Sequence, residues 1–351
     1  MSARVSIATV AHAAGVSAAS VSNAYNRPER LSAEARERIF AVAHELGYAG
    51  PDPAARSLRS GKAAAIGVLF TAGLAYAFYD PYCVEVLRGV AEVAERTRTS
   101  VVLMPIVVHT ATLTVEQTRE SVRGVRQAVI DGAIADGIAD GHPALEVLQR
   151  RGLPLVRSVD DPDARCVLVD DRGGARQVGR HLATLGHRDV AVLVDTPSPQ
   201  PLAPYGRLRL DGIREGLGPA ARVTVVTADG NTIGAGRAAT ARLLADSPPS
   251  AIAAISDALA LGALQAAGTP GVPPVAVTGF DDVSAAAAAG LTTVRQPTLE
   301  KGRLMGRMLL DPEFTQRRVL LPTELVIRRS TSACALNNSA SRGTACCPSN
   351  R

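Results

Sequence analysis

Apolar residues at Ile7, Val10, Ala11 and Ala14 fall at i, i+3, i+4 and i+7, the spacing of one helix face. Ser6 stands where its hydroxyl would accept from an unpaired N–H of the first turn. Gly15 tolerates the positive φ that ends a helix. Val16 follows as a core plug, and Ser17 caps a second helix with Val21, Ala24 and Tyr25 inward. That leaves Ala18, Ala19, Ser22 and Asn23 on another side. Ser32 caps a third helix, with Glu34 in its first turn, where a carboxylate suits the dipole. Its inner stripe is Ile39, Val42, Ala43 and Leu46, and Gly47 stops it. A short helix, a Gly-Val-Ser turn and a second helix of small polar residues predict a helix-turn-helix, whose second helix enters a DNA major groove. A three-helix cap with no ligand shows the same pattern.

Beyond Lys62 the periodicity switches to alternating strands and helices. Strands are predicted over 64–70, 101–108, 132–135 and 153–156, with helices over 82–96, 114–128 and 145–151 between them. A second series places strands at 166–169, 190–194, 223–226, 251–255 and 275–279. Its helices cover 173–185, 207–216, 236–244 and 258–267. Such alternation predicts doubly wound parallel sheets, here in two lobes. Ligands in such folds sit at the carboxyl ends of strands, in this case between the lobes.

Residues 50–62 join the two patterns. Two prolines and a glycine make a stiff entry, and Asp52 with Pro53 starts a helix of under two turns over 54–59. That is too short to persist alone in water, so the segment also fits a plain linker. The tail over 332–351 is rich in Ala, Ser, Asn and Cys and carries no heptads. It is expected to be disordered, with no tetramer-forming coiled coil and no metal site at Cys334, Cys346 and Cys347.

The residues are similar to the lactose-repressor (LacI/GalR) family. The matching blocks include Ser6-Ile-Ala-Thr-Val-Ala, Ala14-Gly15-Val16-Ser17, Ser20-Val21-Ser22 and Asn26. They continue through Leu31-Ser32, Leu46-Gly47-Tyr48, Ala55-Arg56-Ser57-Leu58-Arg59 and Ile66-Gly67-Val68. Further blocks are His181-Leu-Ala-Thr-Leu-Gly-His187-Arg188, Arg207-Leu-Arg-Leu-Asp-Gly212, Ser256-Asp257-Ala258-Leu259, Gly279-Phe280-Asp281-Asp282 and Leu291-Thr-Thr-Val-Arg-Gln-Pro297. All lie in family order.

The resemblance implies an N-terminal all-α helix-turn-helix domain (1–49) and a hinge (50–62). An α/β two-lobed core like a periplasmic binding protein follows over 63–331. Lobe 1 is expected over about 63–158 plus 297–310, and lobe 2 over about 165–290 plus 320–329. It implies a homodimer on palindromic operator DNA, a small-molecule effector in the cleft, and repression rather than activation. Base reading falls to Ala18, Ala19 and Asn23. The two alanines offer no hydrogen bond, and Asn favours adenine. Phosphate positioning falls to Arg4, Ser6, Ser17, Ser22, Asn26 and Arg30. Leu58 matches the hinge leucine that wedges into the minor groove, flanked by Ala55 and Arg56. The stretch from Tyr48 to Leu58 is one residue longer than the family spacing, with Gly50 as the extra residue.

For the cleft, position and resemblance single out Arg209 and Asp257, the latter also a natural helix cap. Arg209 suits a bidentate clamp, or an interlobe ion pair. Thr71, Asp80 and Asp160 are further candidates. The family's aromatic platform is replaced by Asn231, and Tyr76, Phe78, Tyr79 or Phe280 could stand in.

Composition adds bounds. An apolar content of 46% over 351 residues supports a large core. No apolar run approaches the roughly 20 residues that span a bilayer, and no secretion signal is visible, so a cytoplasmic location is expected with no membrane partner. The net charge of +5 is a mild sign of a polyanionic partner. Gly234-Ala-Gly-Arg-Ala-Ala239 matches a phosphate-loop pattern but lies off the first βα turn. No P-loop, HExxH, GxSxG or zinc spacing occurs, so neither an enzyme nor a cofactor is expected. A transport binding protein, or a regulator without a small ligand, remains the other reading of the core.

Overall fold

Three serines set the first three helices. In the computed structural model, which describes residues 5–51, 61–70, 74–106, 114–195 and 202–332, Ser6, Ser17 and Ser32 each accept from the backbone N–H three residues on. They open α1 (Ile7–Ala14), α2 (Ala18–Asn26) and α3 (Ala33–Glu45). Gly15 closes α1 in the left-handed region at φ 66°. Val10, Val21 and Ile39 are fully buried at the centre, and small Ala11, Ala14, Ala24 and Ala43 let the helices approach. Tyr25 packs edge-on against Phe40 and Tyr48. Gly50, with φ 103°, lies over the same ring, and a β-carbon there would come within 3.3 Å of it. The extra residue is thus glycine because a side chain would be both strained and crowded.

The chain divides between Ala64 and Ala65 into two compact units. The second begins with β1 (Ala65–Phe70), a fully buried strand. It is followed by the short α4 (Tyr76–Tyr79), α5 (Pro81–Thr97) and β2 (Ser100–Leu103). The predicted helix over 114–128 breaks at Val122 into α6 (Val115–Ser121) and α7 (Arg123–Gln127). Then come β3 (Ala133–Asp136), α8 (Pro143–Arg150), β4 (Leu155–Arg157) and β5 (Arg165–Val169). After α9 (Asp171–Thr184) the second series runs β6 (Asp189–Val194), α10 (Pro204–Leu217), β7 (Arg222–Thr227), α11 (Ile233–Asp246), β8 (Ala251–Ala254), α12 (Asp257–Ala267) and β9 (Ala276–Thr278). There follow α13 (Ser284–Ala289), β10 (Thr293–Arg295), α14 (Thr298–Leu310), β11 (Arg318–Leu321), β12 (Glu324–Val326) and a 3-10 turn (Arg329–Thr331).

Two parallel sheets result, of six strands in order β11-β5-β4-β3-β1-β2 and four in order β7-β6-β8-β9. This corrects the division into lobes read from the sequence. The strand at 165–169, assigned there to the second lobe, pairs with β4 and β11 in the first sheet. Of the stretch expected to complete the second lobe, β11 closes the first sheet, while β12 pairs antiparallel with β10. Strand–helix alternation carries no mark of which sheet a strand joins, so the reading split the chain one strand too early.

Glycines let the covering helices touch backbone to backbone. A β-carbon at Gly89 or Gly302 would overlap backbone of the facing helix in the α5–α14 pair. Gly179 and Gly216 do the same between α9 and α10, and Gly236 and Gly262 between α11 and α12. The first contact ties the returning helix α14 to the first lobe.

Candidate DNA-reading surface and ligand cleft

On the N-terminal unit, α2 exposes Ala18, Ala19 and Asn26, with Ser22 and Asn23 half-exposed between them. The i, i+4 steps place Ala18, Ser22 and Asn26 in one row and Ala19 and Asn23 in the next. Asn26 is turned inward on its own helix, donating to the Ser22 carbonyl at 2.9 Å and more weakly to its hydroxyl. The Asn23 amide has no partner among the described residues and is the one polar side chain in these two rows left open. Ser6 and Ser17 spend their hydroxyls on caps, and Arg30 is exposed. Arg4, Ala55, Arg56 and Leu58, and the cleft candidate Thr71, lie outside the described residues. Charge is unevenly placed. Residues 5–51 hold four Arg and four Glu and are neutral, so the basic surplus of residues 1–62 comes from Arg4, Arg56, Arg59 and Lys62 against Asp52.

The core unit holds a cavity of about 600 Å³ between the carboxyl ends of the two sheets. Arg209 of α10 reaches it from the second lobe. Its Nε donates to Asp171 at 2.7 Å, and its Nη1 to the Ile255 carbonyl at 2.7 Å and to Asp281 at 3.2 Å. The Phe280 ring backs the guanidinium at 3.7 Å. Arg209 Nη2 makes no hydrogen bond among the described residues. Gln296 donates to the same Asp281 oxygen at 2.6 Å. Burial, with Asp80 and Asp171 nearby, raises the Asp281 carboxyl to about 7 despite the attraction of Arg209.

From the first lobe, Asp136 ends β3 and meets Lys301 of α14 at 2.7 Å. Tyr82 donates to the other Asp136 oxygen at 2.9 Å and accepts from Lys301. Both charges are buried, at 5% exposure for Lys301 and 3% for Asp136. Burial works against the Asp136 charge, but Lys301 and the Ser158 and Tyr82 hydroxyls hold its carboxyl below the usual range. Asp80 caps α5 through the Cys83 N–H and accepts from the Tyr76 hydroxyl at 2.6 Å. No group of three or more metal-ligating side chains occurs among the described residues.

Of the sequence candidates, Arg209, Asp80, Asp160 and the stand-in ring Tyr76 line the cavity, as does Asn231. Asp160 sits at an exposed position in a two-point pair with Arg318. Two candidates are corrected. Asp257 has no exposed surface, and its carboxylate is consumed inside the second lobe by the Val283 N–H at 2.9 Å and the Thr293 hydroxyl. The cap of α12 is Ser256 rather than Asp257. Phe280 is 2% exposed and faces Arg209, not the cavity. A position at a strand end shows that a residue is near the cleft, not how deep it lies. The sequence reading missed Asp136, Asp171, Lys301 and Gln296. Asp136 and Asp171, at the ends of β3 and β5, could have been found by the strand-end rule applied throughout.

Two family descriptions match the chain. One is that of the bacterial regulatory proteins of the lacI family, over residues 3–50, and the other the periplasmic binding protein-like domain, over 180–331. An HTH-type transcriptional regulator of Mycolicibacterium smegmatis is 36% identical, over 93% of this chain and 96% of its own. The lac repressor dimer bound to operator and the anti-inducer ONPF superposes with a TM-score of 0.76 at 26% identity, over 94% of this chain and 99% of that one. A complex of the transcriptional regulator CelR with cellobiose gives 0.64 at 26% identity, over 93% of this chain and all of that one. No helix among the described residues is long and apolar enough to cross a membrane. A capped helix-turn-helix, a two-lobed core with a polar cleft and relatives matching along the whole chain agree: this protein belongs to the lacI family of DNA-binding transcriptional regulators.

Proposed function

We propose that the protein is a cytoplasmic, non-enzymatic homodimeric repressor. It reads a palindromic operator through residues 1–49, grips the minor groove through a hinge at 50–62, and changes operator affinity when a small polar metabolite occupies the cleft. The observation that carries this reading is the cleft itself, with the Arg209 guanidinium held by Asp171 and Asp281 and one donor unspent. The relatives support it, since one is described bound to operator and another to cellobiose. Base reading rests on Ala18, Ala19 and Asn23, and phosphate positioning on Ser6, Ser17, Ser22, Asn26 and Arg30 with Arg4. Leu58, beside Ala55 and Arg56, is the wedge. Arg209 and Asp80 are the ligand contacts, with Asp160 at the rim and Thr71 a further candidate from the sequence.

The test is operator affinity, at fixed salt, against a library of sugars, nucleosides and small polar metabolites. A member that changes Kd for wild type and not for Arg209→Met supports the reading. If no member changes Kd, the regulator works without a small ligand.

A further inference from the structure

The strand β4 ends on a buried arginine. It lies between β3 and β5 in the first sheet, and Arg157 stands beside Ala135 on one side and Cys166 on the other. Arg157 is 3% exposed. Its Nη1 donates to Asp161 at 2.6 Å and meets Asp140 at 2.7 Å, and its Nη2 donates to the Ile138 carbonyl at 2.8 Å. Its Nε is buried with no acceptor among the described residues. A guanidinium is costly to bury, and an unmet donor adds to that cost. Packing alone would be served by apolar side chains of similar volume, often with no loss of stability.

The three acceptors lie on two loops. Ile138 and Asp140 follow β3, and Asp161 follows β4. Between them these loops give the cavity Gly137, Ala139, Asp140, Ser158, Val159 and Asp160, whereas Arg157 itself does not line it. The loops also join at their base. The Gly137 N–H donates to the Ser158 hydroxyl at 2.6 Å. That hydroxyl donates to Asp136, the carboxylate paired with Lys301. Asp161 is held in turn by the Asp163 N–H at 2.9 Å. Its side chain is 12% exposed, against 76% for Asp140. Asp161 is thus the fixed counter-charge, and Asp140 the outlying one.

We infer that Arg157 is a positioning residue of the cleft: from behind the wall it fixes the loops after β3 and β4 in one register. It thereby sets where Asp136, Asp140 and Ser158 stand for a ligand it does not touch. The planar fork matters, because acceptors on two loops need donors in fixed directions. A lysine would bring the same charge without the fork.

This inference rests on the cleft being a ligand site, but its main test uses neither ligand nor DNA, so the two readings can fail separately. Hydrogen exchange by mass spectrometry and thermal melting are followed on the full chain in wild type, Arg157→Lys, and a double variant. The double variant is Arg157→Met with Asp161→Asn, which removes both buried charges and leaves the Asp163 N–H an acceptor. A positioning role predicts faster exchange, on the order of tenfold, in segments 137–142 and 158–164 of both variants. Strands β1, β3 and β5 stay as protected as in wild type, and the double variant melts no lower than wild type. Full protection of both loops in Arg157→Lys would show that charge alone suffices and would overturn the inference. So would faster exchange spread evenly through the core with a lower melting temperature, the behaviour of a merely structural residue. In the operator assay the double variant should bind DNA as wild type does. A metabolite that shifts the wild-type Kd should then need a higher concentration, on the order of tenfold, and an unchanged response overturns the positioning role. If no metabolite acts on wild type, the ligand reading fails, and the exchange result alone decides whether Arg157 holds the two loops.

Discussion

Replacing Lys301 with Met should invert the pH dependence of stability that Asp136 contributes. In the native protein Lys301 outweighs burial and keeps the Asp136 carboxyl below its ordinary value. The stability this confers is present above the unfolded value of about 3.9 and is lost as pH falls through the folded one. From pH 5 to pH 8 it is therefore constant. Without the ammonium, Asp136 is an uncompensated buried charge, a loss of about 3–5 kcal/mol in comparable buried pairs. Tyr82 still donates to the carboxylate, which favours the lower end of that range. Burial, the largest single influence on this carboxyl, then places its folded value above 3.9. The folded state holds a proton the unfolded state has released, so stability falls as pH rises beyond about 4. Adding Asp136→Asn removes the charge and keeps an acceptor for Tyr82, so the double variant should recover most of the loss at pH 8. Denaturant unfolding of wild type, Lys301→Met and the double variant at pH 5 and 8 measures this. A loss below about 1 kcal/mol at pH 8, or a double variant no more stable than the single one, would refute the reasoning.

Other expectations follow from the same geometry. The folded value of Asp281 is raised to about 7, so its contribution to stability declines as pH climbs from about 4 to 7; Asp281→Asn should narrow the difference in unfolding free energy between pH 5 and pH 8. Gly302→Ala drives a methyl into the Val86 carbonyl and should destabilise the core by about 1–3 kcal/mol, the usual cost of overpacking, seen as a lower melting temperature. Gly50→Ala meets both a left-handed φ and the Tyr25 ring; roughly 1–2 kcal/mol of destabilisation should appear as a lower melting transition of the N-terminal unit. Asn23→Ala should relax the operator preference at one position per half-site, by about 1–3 kcal/mol, with little change in the salt dependence of binding.

What could be read in the sequence is local. Ser6, Ser17 and Ser32 announce their helices because a cap and the N–H it satisfies are three residues apart. The apolar stripes of α1 to α3 and the buried strand runs are equally local. Arg209 was legible from its place on the helix that follows a strand. The groups that complete the cleft are not local. Lys301 finds Asp136 across 165 positions, and Asn231 finds Tyr76 across 155. Nothing in either residue's neighbourhood announces its partner. Depth was also hidden, which is why Asp257 and Phe280 read as cleft residues although both are sealed in the second lobe. The strand at 165–169 joined the wrong lobe in the reading because its partner β11 lies far along the chain.

The most direct test is to select bound sequences from random DNA with the full-length protein at stated salt. The account predicts a palindrome with a flexible central step, bound by a dimer, with an adenine contact in each half-site that disappears in Asn23→Ala. Recovery of asymmetric sites, or no enrichment over bulk DNA at moderate salt, would contradict it.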